Sequence, residues 1–167
     1  MPPKSTTTPT SFRLPLLYTT FFLTIEPLST LLGAYFAYFQ PHHYLTLTTP
    51  STPQSTLVPL PPSTAIVLQQ LANLYLLLSI TEATLLRTTN DLAVWRVFLF
   101  GLLVADVGHV WSVREAVGWE GYWNVAGWNA MDWGNLGFVY VAAALRVAFL
   151  LGVGLPAKAG GKAKAKK

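Results

Sequence analysis

The stretch LPLLYTTFFLTIEPLSTLLGAYFAYF (Leu14–Phe39) decides the fold. It exceeds the about 20 apolar residues that carry an α-helix across a bilayer. Glu26 is its one charged side chain. A charge in hydrocarbon costs roughly 3 kcal/mol on insertion scales, and more in simulations, unless it is paired or neutralised. An acid at this position therefore calls for a partner elsewhere in the chain. Pro27 follows directly, removes one backbone donor and frees a carbonyl at about Leu23, so a kink is expected beside the charge. The apolar run continues too far for a signal peptide, and no small-residue cleavage site follows it, so it is read as a retained span.

Three further apolar stretches lie near Thr64–Leu86, Ala93–Val113 and Asn135–Leu155, and each again holds ionisable residues: Glu82, then Asp106 and His109, then Arg146. Of the 167 residues, 52% are hydrophobic and 11% charged, with a mean hydropathy of +0.43. A soluble domain carries about 25% charged residues. The fold class expected is therefore all-α, a polytopic membrane protein with four transmembrane helices in a bundle. Residues 1–13 form an expected disordered arm, 14–155 the membrane domain, and 156–167 a disordered Lys-rich tail.

The chain has no cysteine, which excludes disulfides, thiolate metal sites and cysteine nucleophiles. The net charge of +4 is concentrated in the tail, where five lysines fall between Lys158 and Lys167. That tail has no aromatic platform, so a nucleic-acid partner is not expected and the bilayer surface is. His42 and His43 are adjacent, and neighbours in sequence rarely converge on one ion. Neither a metal nor a cofactor is expected.

Lysine and arginine set the orientation. Lys4, Arg13, Arg87, Arg96 and the five tail lysines put nine positive residues on one side, whereas the two long loops carry only Arg114. Both termini are expected in the cytoplasm and the endoplasmic reticulum is the expected membrane. The first long loop, Gln40–Ser63, is rich in Pro and Thr and is expected to be extended and poorly ordered. The second, Arg114–Gly134, holds Trp119, Trp123, Trp128 and Trp133, with Trp111 just before it. Such rings favour the membrane interface, so this loop is expected to lie on the outer surface, or to cover a cavity between the helices.

Helical spacing tests whether the polar residues converge. Glu26, Ser29, Thr30, Gly33 and Ala37 share one stripe of the first span, opposite Leu28, Leu31, Leu32, Tyr35 and Phe39. Small and polar stripes face neighbouring helices and large apolar ones face lipid. In the second span Gln69, Gln70 and Asn73 form one polar side and Tyr75, Ser79 and Glu82 another, which predicts a central helix. Depth, at about 1.5 Å per residue, sets Glu26 and Arg146 near mid-membrane. Asp106 and His109 fall above them, whereas Glu82 lies near the interface, within reach of Arg87. The expected network is a Glu26–Arg146 ion pair with an Asp106–His109 pair above it.

Four runs carry a family resemblance: Ile25–Tyr35 (IEPLSTLLGAY), Gln70–Leu77 (QLANLYLL), Trp95–Arg96 through Ala105–His109 (ADVGH), and Trp128–Asn135 (WNAMDWGN). Together they resemble a fungal family of small four-span membrane proteins described only as a domain of unknown function. The resemblance covers roughly Leu14 to Gly154 and brings no activity with it. The span count, buried acids and aromatics are also similar, at the level of fold, to the sterol-isomerase and sigma-2-receptor-like four-helix membrane fold.

Three functional readings follow. In the first, a pocket of Glu26, Asn73, Asp106, His109, Arg146, Trp111, Trp133 and Asn135 binds a lipid, sterol or isoprenoid. In the second, Glu26 or Asp106, held neutral by desolvation, protonates an isoprenoid while another acid or His109 takes a proton back, with Trp111 or Trp133 steadying a carbocation. A Glu26 fully paired with Arg146 could not serve as that acid. In the third, the polar residues satisfy one another and the protein is a homo-oligomer or a subunit of a membrane complex.

Overall fold

The computed structural model describes residues 14–49 and 58–155. The arm and tail assigned from sequence, and the middle of the first long loop, lie outside the described residues. Among the described residues, four helices are long and apolar enough to cross a membrane: α1 (Leu16–Phe39), α3 (Pro62–Thr88), α4 (Leu92–Ser112) and α6 (Ala130–Leu150). Two short helices, α2 (Pro41–Thr48) and α5 (Arg114–Gly121), occupy the long loops. No strand occurs among the described residues.

Proline starts two of these helices. Pro41 and Pro62 each stand in a first turn, where the missing N–H has no helical partner to lose. Asp91 caps α4 by accepting from the Ala93 N–H at 2.8 Å. The helix α2 departs from the extended loop expected for Gln40–Ser63. Thr46, Thr48 and Thr49 return their hydroxyls to the carbonyls of His42, Tyr44 and Leu45 at 2.8–3.0 Å, and Tyr44 is buried, so a run that reads as loop-forming is held helical.

The two-sided reading of α1 corresponds to the packing. Glu26, Ala34 and Ala37 are buried, while Leu28, Leu31, Leu32, Tyr35 and Phe39 are exposed. The α1 backbone widens into a π turn over Phe21–Ile25, immediately before Glu26 and Pro27. A second π turn spans Trp133–Phe138 in α6. Such turns add a residue to the helical circuit and re-aim the side chains beyond them.

Helix α1 runs antiparallel to α3, and three contacts fix their register. Arg87 Nη2 donates to the Leu23 carbonyl. Ser79 Oγ donates to the Pro27 carbonyl at 2.7 Å. Gly33 lies so close to Tyr75 that a Cβ added there would stand 3.3 Å from the ring. Helix α4 packs along α6. Tyr18, Phe22, Trp95 and Phe149 join α1, α4 and α6 near the side where the described chain begins and ends, with Trp95 stacked on Phe149 at 5.7 Å. There Tyr18 Oη donates to the Val153 carbonyl at 2.9 Å, so the start of α1 is tied to the exit of α6.

Helix α3 is not central, as its two polar sides had suggested. Its Tyr75–Ser79–Glu82 side faces α1, but Gln69, Gln70 and Asn73 are exposed. The tryptophan-rich segment is folded rather than loose. Tyr122 Oη donates to the Val110 carbonyl at 2.6 Å and Trp128 Nε1 to that of Gly121 at 2.7 Å. Asn129 and Asp132 form a reciprocal cap at the start of α6, and Asn129 Nδ2 also reaches the Leu47 carbonyl at 3.0 Å beside α2.

Candidate functional site

The acid of the first span finds its partner. Arg146, on α6, is 1% exposed; its Nη2 donates to Glu26 Oε1 on α1 and its Nη1 to Asp106 Oδ2 on α4. A planar guanidinium suits this role because its donors diverge in a fixed fork. One side chain thus bridges three helices. The Glu26–Arg146 pair expected from depth is present. The Asp106–His109 pair is not, because Arg146 takes the Asp106 carboxylate and His109 faces Asn135 instead.

Glu82 also departs from expectation. It is fully buried and lies against Glu26, rather than pairing with Arg87. Two features move it. The α1–α3 register sets Glu82 opposite Glu26, and Arg87 spends its guanidinium on the carbonyls of Ala83, at 2.5 Å, and Leu23. Neither Glu82 oxygen receives a hydrogen bond, and nor does Glu26 Oε2. Three carboxylates therefore surround one guanidinium.

One helical turn from this cluster, about 5 Å along α4, a cavity of about 480 Å³ opens between α2, α3, α4, α5 and α6. Its polar lining includes Tyr44, Thr48, Tyr75, His109 and Asn135, with the Glu115 carboxylate at its α5 side. Burial, and then the neighbouring Tyr75, push the Tyr44 phenol far above its ordinary range, so it stays a neutral hydroxyl. Among the described residues, no group of three His, Asp or Glu side chains is arranged to hold a metal ion; Glu26, Glu82 and Asp106 are gathered around Arg146 instead.

The residues singled out from sequence thus divide three ways. Glu26, Asp106 and Arg146 form the ionic cluster, and His109 and Asn135 line the cavity. Asn73, Trp111 and Trp133 join neither. Asn73 is on the outward side of α3. Trp111 is exposed, with the Arg114 guanidinium 4.7 Å from its ring centre. Trp133 is exposed and packs edge-on to Trp128 at 5.1 Å. The Tyr75–Ser79–Glu82 side of α3 was legible from helical spacing, but Glu82 was assigned to the interface and Tyr75 to no site; Tyr44 was missed altogether.

Fold and site define a class: a polytopic all-α protein with four membrane-length helices, one of whose arginines is shared by carboxylates from two others. The chain belongs to the family described as Domain of unknown function (DUF7704), which matches residues 11–156. No curated protein and no solved structure matches it.

Proposed function

We propose that the protein is an integral membrane binding protein for an amphipathic ligand of the lipid, sterol or isoprenoid class. The ligand's hydroxyl or other polar end sits among Tyr75, His109 and Asn135. The observation that carries this reading is the cavity of about 480 Å³. Its size is that of a small-molecule site, and its polar groups converge from several helices against otherwise apolar spans. A binding role is favoured over an acid-catalysed isomerase or cyclase because Glu26 and Asp106 both hold Arg146, which leaves neither free as the acid. The charge asymmetry of the loops supports cytoplasmic termini, with the cavity toward the opposite side. The endoplasmic reticulum remains the proposed membrane.

The test is mass spectrometry of lipids that co-purify in mild detergent. Wild type should carry a discrete amphiphile that His109→Phe and Asn135→Leu lose while keeping their melting temperature. Detergent-purified protein with no bound amphiphile in any sample would sink the reading.

One observation favours a second reading, as a subunit of a membrane complex. Gln69, Gln70 and Asn73 present amides on the outer side of a membrane-length helix. Amides in hydrocarbon hydrogen-bond across helices. Replacing all three with Leu should reduce the assembly measured by cross-linking in membranes; unchanged cross-linking refutes it.

A further inference from the structure

The ionic cluster has an imbalance that its ion pairs leave in place. Glu26, Glu82 and Asp106 offer three carboxylates to the single guanidinium of Arg146. If all were ionised, two negative charges in excess would sit between helices in the membrane, a costly state. The hydrogen bonding repeats the problem. Both Glu82 oxygens and Glu26 Oε2 are buried without a donor, although the two side chains lie against each other. Two ionised carboxylates only accept, so they cannot satisfy one another; a carboxylic acid and a carboxylate can.

We infer that Glu82 holds a proton and donates it to Glu26, making their contact a proton-binding site within the membrane-spanning helices. Glu26 then accepts at both oxygens, from Glu82 at Oε2 and from Arg146 Nη2 at Oε1. The formal charge of the cluster falls by one. Asp106 has the least buried side chain of the ion-paired groups, at 14% exposed. The charged groups facing Glu82 are Glu26 from α1, Asp106 from α4 and Arg146 from α6. On its own helix, Arg87 is turned to backbone carbonyls and supplies no donor. His109 faces Asn135 and the cavity instead. The arrangement resembles carboxyl pairs that share one proton because like charges at close range do not both ionise.

Infrared spectroscopy of the protein in lipid nanodiscs at neutral pH tests this. The readout is the carbonyl stretch of a protonated carboxylic acid, assigned by carbon-13 labelling of glutamate. The chain has four glutamates: Glu26, Glu82, Glu115 and Glu120. Glu115→Gln with Glu120→Gln removes the two exposed ones and leaves the buried pair untouched. A label-sensitive acid band should appear in this double variant. It should disappear when Glu82→Gln is added, with little change in melting temperature because the amide supplies the donor that Glu26 needs, and it should survive Asp106→Asn. Absence of the band from the double variant overturns the inference, whether or not Glu82→Gln folds. So does a band that persists in a folded Glu82→Gln protein.

Discussion

Arg87 on α3 donates to the carbonyl of Leu23 on α1, the acceptor that Pro27 leaves open by having no N–H to return. A break in one helix is thereby closed by a side chain from another, and the kink becomes a point of attachment. The neighbouring Ser79–Pro27 bond of 2.7 Å adds a second side-chain tie to the α1 backbone four residues further along.

Replacing Arg87 with Ala should therefore destabilise the protein by about 1 kcal/mol, the ordinary net worth of such a hydrogen bond. The cost should shrink when Pro27→Ala is also present, because the restored N–H of residue 27 can reach Leu23. A double-mutant cycle on thermal unfolding in detergent measures this coupling. Additive effects of the two substitutions would show that the proline and the arginine act independently.

Arg146→Met removes the cation of the cluster and strands the carboxylates around it. A loss of about 3–5 kcal/mol is expected, as for other broken buried pairs. Adding Glu26→Gln and Asp106→Asn should recover most of it, since no charge is then left unpaired. Chemical or thermal unfolding of the single and triple variants reads the difference. A triple variant no more stable than Arg146→Met would mean that packing, not charge, explains the loss.

Gly33 admits the Tyr75 ring at the α1–α3 crossing. Gly33→Leu should force the helices apart at a cost of about 1–3 kcal/mol, the usual range for overpacking. Gly33→Leu combined with Tyr75→Ala should cost less than the sum of the two. The melting temperatures of these variants decide the point.

Tyr44, on the short helix between the first two spans, gives a pH dependence. Its folded-state phenol is raised well above the ordinary tyrosine value of about 10, first by burial and then by Tyr75. The unfolded chain therefore loses this proton first as pH rises. Below pH about 10 the contribution to stability is fully present, and it is lost progressively above that value. Tyr44→Phe should flatten the alkaline fall in melting temperature. An unchanged alkaline slope in Tyr44→Phe would assign the fall to other groups.

The membrane-length helices and the inner stripe of α1 were legible because apolar length and 3.6-residue periodicity are properties of single segments. So was the Glu26–Arg146 pair, since depth can be counted along each helix. Glu82 was misplaced because depth from a helix end ignores how α1 and α3 are staggered; that stagger is set by Leu23–Arg87, Pro27–Ser79 and Gly33–Tyr75 together. His109 was given to Asp106 because neighbours three apart on one helix can touch, but nothing local reveals that Arg146 outcompetes it. The cavity was beyond reach for another reason. Much of its lining comes from Tyr44 and Thr48 on α2, a segment whose proline and threonine content reads as loop.

The fork of Arg146 has a consequence for how such a chain can diverge. Loss of Arg146 alone leaves the carboxylates at 26 and 106 without their counterpart, whereas loss of either acid alone still leaves Arg146 paired with the other. These sites, separated by up to 120 residues along the chain, constitute a single heritable unit. The order of change is thereby constrained: one acid can be lost while Arg146 stands, but Arg146 cannot be lost first without stranding both.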